Sequence, residues 1–240
     1  MTGVQTCALP IYGNLNSIAI VAIAPRGTMF DPGPFLYMNK IAVGPEARGA
    51  IDIERPITDN LKAIAKAKGK RLEDLTCVIL DRPRHDEMVA EMRRAGVRIR
   101  LIPDGDVAGS LMTSWGDSGI DALFGIGGTP EGVISACALR AMDGEIQGKL
   151  YARNDKEKRR GEEQGYDFNK VLTMNDLVSS DDVFFAATGI TNGELLKGVK
   201  YLANGALTDS LVVRGLTGTI REITAHHRWD KLKNLSAIDY

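Results

Sequence analysis

Apolar positions along this chain fall into two rhythms. Near the amino terminus, Ser17 to Ala24 (SIAIVAIA) alternates and is rich in β-branched residues, which predicts a strand. After a turn at Pro25-Arg26-Gly27, a second extended run from Phe35 to Val43 predicts its antiparallel partner. From Thr58 onward the period changes. Asp59 to Lys68 has helical spacing, Thr76 to Leu80 is a short apolar strand, and Asp86 to Ala95 is helical again. Val97 to Ile102 predicts a strand, Val107 to Trp115 a helix, Asp121 to Ile126 a buried strand, and Glu131 to Met142 a helix. Repeated βα units of this kind imply a mainly parallel sheet sandwiched between helices. Further on, Asp182 to Thr188 reads as a strand, Glu194 to Tyr201 as a helix, and Ser210 to Ala225 as a hairpin turning at Thr217-Gly218. The densely charged stretch Asn154 to Gly165 has no apolar face and is expected to be a solvated helix or surface loop. No internal repeat is present.

Composition narrows the picture. A chain of 240 residues that is 44% hydrophobic can bury one large core or two small ones. With Lys+Arg 30 against Asp+Glu 31, no general electrostatic grip on nucleic acid or an anionic membrane is expected, so any anion must be held locally. No apolar run approaches the roughly 20 residues of a membrane-spanning helix. The cysteines, Cys7, Cys77 and Cys137, are few, far apart and odd in number, which points to a reducing compartment. Cys77 and Cys137 sit in apolar runs and are expected in the core. Residues Thr2 to Ile11 (TGVQTCALPI) resemble the translation of a common sequencing adapter, so residues 1–11 are set aside as foreign and genuine sequence is expected upstream of Tyr12.

Three short segments carry candidate chemistry, each just after a predicted strand, where ligands bind in α/β sheets. The first is Asp81-Arg82-Pro83-Arg84-His85-Asp86. Its two guanidinium groups could clamp a phosphate bidentately or be solvated surface charge, while His85 could be a base but suits a helix cap or surface pair better. The second is Pro103-Asp104-Gly105-Asp106, whose carboxylates could accept hydrogen bonds from sugar hydroxyls, approach a metal, or merely cap a helix. The third is Gly125-Ile126-Gly127-Gly128-Thr129-Pro130-Glu131-Gly132, a glycine-rich turn into a helix. Thr129 can cap that helix and Glu131 falls in its first turn, as a ligand or as a carboxylate favoured by the helix dipole. The spacing lacks the last glycine of a dinucleotide fingerprint, which leaves that reading weak.

Taken in order and with these separations, RPRH, IPDGDVA, GIGGTPEGV and ATGIT (Ala187 to Thr191) resemble class II (GlpX-type) fructose-1,6-bisphosphatase, over about Asn14 to His227. The resemblance implies an α/β fold like that of the inositol monophosphatase superfamily, layering helix and sheet. Residues 12–45 would be the remnant of an antiparallel amino-terminal metal-binding domain, 46–227 a mainly parallel α/β/α substrate-binding domain, and 228–240 a tail. It further implies Glu131 as a ligand of Mn²⁺ or Mg²⁺, and Tyr37, Arg82, Pro83, Arg84, Asp104, Gly105, Asp106 and Gly128 as contacts for fructose 1,6-bisphosphate. The reaction implied is metal-dependent hydrolysis of the C1 phosphate to fructose 6-phosphate in gluconeogenesis, in a cytoplasmic homo-oligomer, dimer or tetramer. The alternatives are a bifunctional enzyme also acting on sedoheptulose 1,7-bisphosphate and a non-catalytic sugar-phosphate-binding fragment. Five family features are absent or altered: an upstream aspartate, a Gly-Glu-Gly segment and an Asp-Pro-x-(Asp/Glu)-Gly-Thr motif do not occur, Asn39 stands where many relatives have glutamate, and Pro34-Phe35-Leu36 replaces Pro-Asp-Met. The chain by itself is therefore expected to be inactive or nearly so, with its catalytic residues elsewhere.

Overall fold

The computed structural model describes residues 2–6, 13–33 and 37–232; Cys7, Pro34 to Leu36 and the tail beyond Leu232 lie outside the described residues. Among the described residues, eleven strands form two sheets. In the first, β1 (Thr2–Thr6), β2 (Ile18–Ile23), β8 (Phe184–Gly189), β10 (Gly205–Arg214) and β11 (Thr219–Arg228) pair antiparallel in that order, with β9 (Lys200–Leu202) also on β10. In the second the order is β5 (Arg98–Ile102), β4 (Thr76–Leu80), β6 (Ala122–Gly128), β3 (Tyr37–Val43), β7 (Glu145–Leu150). The segment set aside as foreign thus contains β1, which pairs with β2 from Thr2↔Ile23 to Thr6↔Ala19.

Burial explains the order of layers. Helix α4 (Thr129–Ala141) is buried on almost every side, because it lies between the sheets with α3 (Asp106–Met112) beside it. One large core joins Ile18, Ile20, Phe185, Ala187, Leu211 and Val213 of the first sheet to Met38, Val78, Leu123 and Ile146 of the second through these helices. The other face of the second sheet, through Ile41, Cys77, Ile79 and Phe124, packs on α1 (Ile57–Ala67) and α2 (Asp86–Ala95) to form a second core. The layers run sheet, helices, sheet, helices. Cys77 and Cys137 are both fully buried, as expected, and burial pushes the Cys137 thiol up to about 12 and Cys77 higher still.

Three expectations need correction. The runs at 17–24 and 35–43 do not pair with each other: β2 joins β8 in the first sheet, and β3 lies between β6 and β7 in the second. The reason is burial on both faces of β3, with Met38 and Ala42 in one core and Ile41 and Val43 in the other, which suits only an interior strand. The βα repeats produce parallel pairing only in β5-β4-β6, and β3 and β7 extend that sheet antiparallel. Glu194 to Tyr201 is not a helix. Gly193 and Gly198 let the chain fold back on itself, Gly193 N–H bonding to the Leu196 carbonyl and Val199 N–H to Ile190, before β9 joins β10. Strand β7 went unassigned, although Ile146, Gly148 and Leu150 alternate inward along it.

His85, expected as a cap or a surface partner, is instead fully buried. Its Nδ1–H donates to the Leu80 carbonyl at 2.7 Å, and Nε2 accepts the Ile126 N–H at 2.8 Å, which fixes the neutral tautomer. The ring bridges β4 to β6 beyond the last backbone pair between them, Val78↔Leu123. Burial, first of all, holds the imidazole below its ordinary value. Above about 6.5 both folded and unfolded chains carry it neutral; below that, the unfolded chain takes up a proton that the native state refuses. Stability is therefore expected to fall as pH drops below about 6.5, an acid sensitivity that His85→Phe removes. His85→Ala is expected to cost about 3 kcal/mol at neutral pH, read by urea denaturation.

Candidate functional site

Topology gathers the candidate residues. The parallel strands β4, β5 and β6 end on one edge of the second sheet, and β3, being antiparallel to β6, begins there, with Tyr37 opposite Gly128. Leu80 leads to Arg82 and Arg84, Ile102 leads to Asp104 and Asp106, and Gly128 leads to Glu131. Ile18 and Ile20 of β2 reach across from the first sheet. Together they line one cleft of about 220 Å³. Of the nine residues anticipated from sequence, Pro83 alone is not in the lining; it opens the short turn Pro83–His85 between its two arginines.

The arginines are largely committed to protein groups. Arg84 grips the Ile126 carbonyl through Nε at 3.0 Å and Nη2 at 2.9 Å, and stands 5.5 Å from the centre of the Tyr37 ring. Arg82 bonds through Nη1 to the Asp81 carbonyl and through Nη2 to Asp104 Oδ1 at 2.7 Å. Both guanidiniums are thus bonded to protein groups, and an anion approaching Arg82 would have to compete with Asp104.

Gly105 has φ +90°, a conformation that glycine adopts without strain, and this turns the chain so that α3 starts at Asp106. Asp106 is not a mere cap. Its Oδ2 lies 2.6 Å from the Lys40 ammonium, which also donates to the Gly128 carbonyl at 3.1 Å. Lys40 was not singled out from sequence, though a lysine in alternation with the apolar Met38 and Ala42 of a strand is itself a signal. Arg153 was also missed. It lies 5.6 Å from the Tyr37 ring and is steadied by Glu157; nothing local in the sequence links residue 153 to residue 37.

At the end of β6 the side chains disappear. A Cβ on Gly127 would fall 2.1 Å from Asp106 Oδ2, and one on Gly128 would fall 1.7 Å from Glu131 Oε2. Gly128, not Thr129, precedes the first helical residue of α4, and the buried Thr129 hydroxyl makes no capping bond. Glu131 occupies the first turn of α4 and folds back over Gly128. Burial, chiefly, raises its carboxyl above the usual range, with the Asp106 charge adding to the effect and Lys40 opposing it. A carboxylate oxygen in this position suits a hard divalent cation. Among the described residues, no three His, Cys, Asp or Glu side chains gather into a metal-holding cluster.

Arginine, aspartate and a half-buried glutamate around one cleft, at the strand ends of a layered α/β protein, could hold an anion and a divalent cation together, as a phosphate-ester hydrolase requires. The sequence comparisons agree. The family model for bacterial fructose-1,6-bisphosphatase, glpX-encoded, matches residues 2–227. Fructose-1,6-bisphosphatase 1 class 2 of Escherichia coli strain K12 is 45% identical, over 95% of this chain and 71% of the relative. Fructose-1,6-bisphosphatase class 2 of Escherichia coli O6:H1 and of Shigella flexneri match to the same extent. The chain belongs to the class II fructose-1,6-bisphosphatase family, phosphoric monoester hydrolases that depend on Mn²⁺ or Mg²⁺. Among the described residues, no helix is long and apolar enough to cross a membrane.

Gly128→Ala is expected to displace the Glu131 carboxylate while leaving the fold intact, since only the end of a flexible side chain must move. The check is Mn²⁺ binding by calorimetry alongside thermal melting, with affinity down at least tenfold, about 1.4 kcal/mol, and a melting point within a few degrees of the unmodified chain.

Proposed function

We propose that this chain holds fructose 1,6-bisphosphate in the cleft described above, and that the activity it serves is hydrolysis of the C1 phosphate to fructose 6-phosphate, a step of gluconeogenesis. The observation that carries this reading is the convergence of Tyr37, Arg82, Arg84, Asp104, Gly105, Asp106, Gly128 and Glu131 on that one cleft.

Each residue then has a role that its chemistry supports. Asp104 and Asp106 accept hydrogen bonds from sugar hydroxyls, and Gly105 keeps the turn between them free of a side chain. Arg82 exchanges Asp104 for phosphate oxygens, and Arg84, anchored on Ile126, lends positive charge from a fixed position. Pro83 sets the spacing of the two. Tyr37 offers its hydroxyl at the cleft wall, steadied by the flanking guanidiniums of Arg84 and Arg153. Gly128 leaves room for ligand and for Glu131, which would hold the divalent cation. Such a cation neutralises phosphate oxygens and lowers the pKa of bound water.

A two-metal site requires several carboxylates, and Glu131 is the one proposed here. The chain taken alone is accordingly expected to bind sugar bisphosphate without sustained turnover. The working enzyme is proposed to be a cytoplasmic homo-oligomer.

The test is titration of fructose 1,6-bisphosphate into the purified chain with and without Mn²⁺, paired with a phosphate-release assay. Binding weakened at least tenfold by Asp104→Ala supports the assignment, whereas nucleotide binding with no sugar bisphosphate binding would sink it. Steady phosphate release abolished by Glu131→Ala would overturn the expectation of inactivity. Equal binding of sedoheptulose 1,7-bisphosphate would favour the bifunctional reading.

A further inference from the structure

Lys40 lies in the interior strand β3, opposite Gly125 of β6, with 1% of its side chain exposed. Lysine is almost never buried to this degree unless paired. Met38 and Ala42, which share its face of β3, are apolar and fully packed, so bulk and hydropathy would favour leucine or methionine at this position. Replacing a buried ion pair by apolar residues is often neutral or stabilising, which makes fold stability a poor reason for a buried ammonium. Geometry supplies a better one.

The ammonium touches two other segments at once: Asp106, the first residue of α3, at 2.6 Å, and the carbonyl of Gly128, the last residue of β6, at 3.1 Å. Asp106 Oδ2 is fully buried against it, while a tenth of the Asp106 side chain remains exposed on the cleft side. A carboxylate pinned by one oxygen cannot rotate freely, so its remaining accepting capacity points in a fixed direction. Holding an acceptor in place before ligand arrives spares the cost of ordering it on binding.

We propose that Lys40 is a positioning residue of the hydrolase site, locking Asp106 and the Gly128 carbonyl into one rigid floor so that Asp106 meets a sugar hydroxyl in a fixed orientation. The proposal rests on the sugar-bisphosphate reading above.

It is tested on the 240-residue chain by calorimetric titration of fructose 1,6-bisphosphate with Mn²⁺, for the unmodified chain, Lys40→Met, Asp106→Asn and the double variant, each with a melting temperature. Lys40→Met is expected to weaken binding at least tenfold, and Asp106→Asn comparably. The double variant, which buries no unpaired charge, should regain most of the melting temperature yet bind no better than the weaker single variant. Because the double variant avoids a stranded charge, the comparison stands even if Lys40→Met fails to fold. Lys40→Met binding within twofold of the unmodified chain overturns the proposal. So does a double variant that recovers full affinity together with stability, which would leave Lys40 a purely structural role. Losses that multiply in the double variant would instead mean that Lys40 touches the ligand itself, and also overturn it. An unmodified chain that binds no sugar bisphosphate sinks the functional reading and this inference together, an outcome separable from the others because it appears before any substitution.

Discussion

At the carboxyl end of β6 the polypeptide gives up its side chains so that others can occupy the space. Gly125 admits the His85 ring, whose Nε2 and Cε1 would lie 3.2 and 3.3 Å from a Cβ there. Gly127 admits the carboxylate of Asp106 with the ammonium of Lys40 behind it, and Gly128 admits Glu131. Four side chains from β3, α3, α4 and the turn after β4 thereby meet on one stretch of bare backbone. A methyl group at Gly127 or Gly128 would expel a carboxyl group, so this steric vacancy is the constraint on which the cleft depends.

Strand β3 is the second requirement. Inserted antiparallel between β6 and β7, it starts where β6 ends and delivers Tyr37 and Lys40 to the same edge as the parallel strand ends. An interior position also buries both of its faces, and this draws it away from β2 into the other sheet. The first sheet is not idle in consequence: Ile18 and Ile20 wall the cleft from the opposite side, so each sheet supplies part of the site.

Charges in the cleft are matched before any ligand enters. Lys40 faces Asp106, Arg82 faces Asp104, and Arg84 holds a backbone carbonyl. Breaking a buried pair such as Lys40–Asp106 from one side strands a charge, with a cost of about 3–5 kcal/mol. The half-exposed Arg82–Asp104 pair is worth far less, on the order of 1 kcal/mol or below, and can exchange partners readily. Burial thus divides the polar groups into a fixed floor and an adaptable rim. His85 belongs to the floor: its two ring nitrogens are consumed by Leu80 and Ile126, which makes it a brace between strands and not a base.

Local pattern settled much of this in advance. Strand β4 and helix α2 match their predicted limits, and the hairpin turns at Gly218, where φ is +58°, because apolar periodicity and turn residues are properties of neighbouring positions. The arginine, aspartate, glycine and glutamate residues of the cleft were legible because their segments follow apolar strands, and strand ends in an α/β sheet share an edge by construction, whereas Tyr37, which begins β3, was named only through the family resemblance. What sequence could not specify was pairing between distant segments: that β2 and β3 part company, that residues 194–201 fold back instead of coiling, that Arg153 reaches Tyr37, and that Lys40 lies beneath Asp106. Those outcomes depend on which apolar faces find burial together and which buried charges find partners. That is decided by long-range packing, and only the tertiary structure carries it.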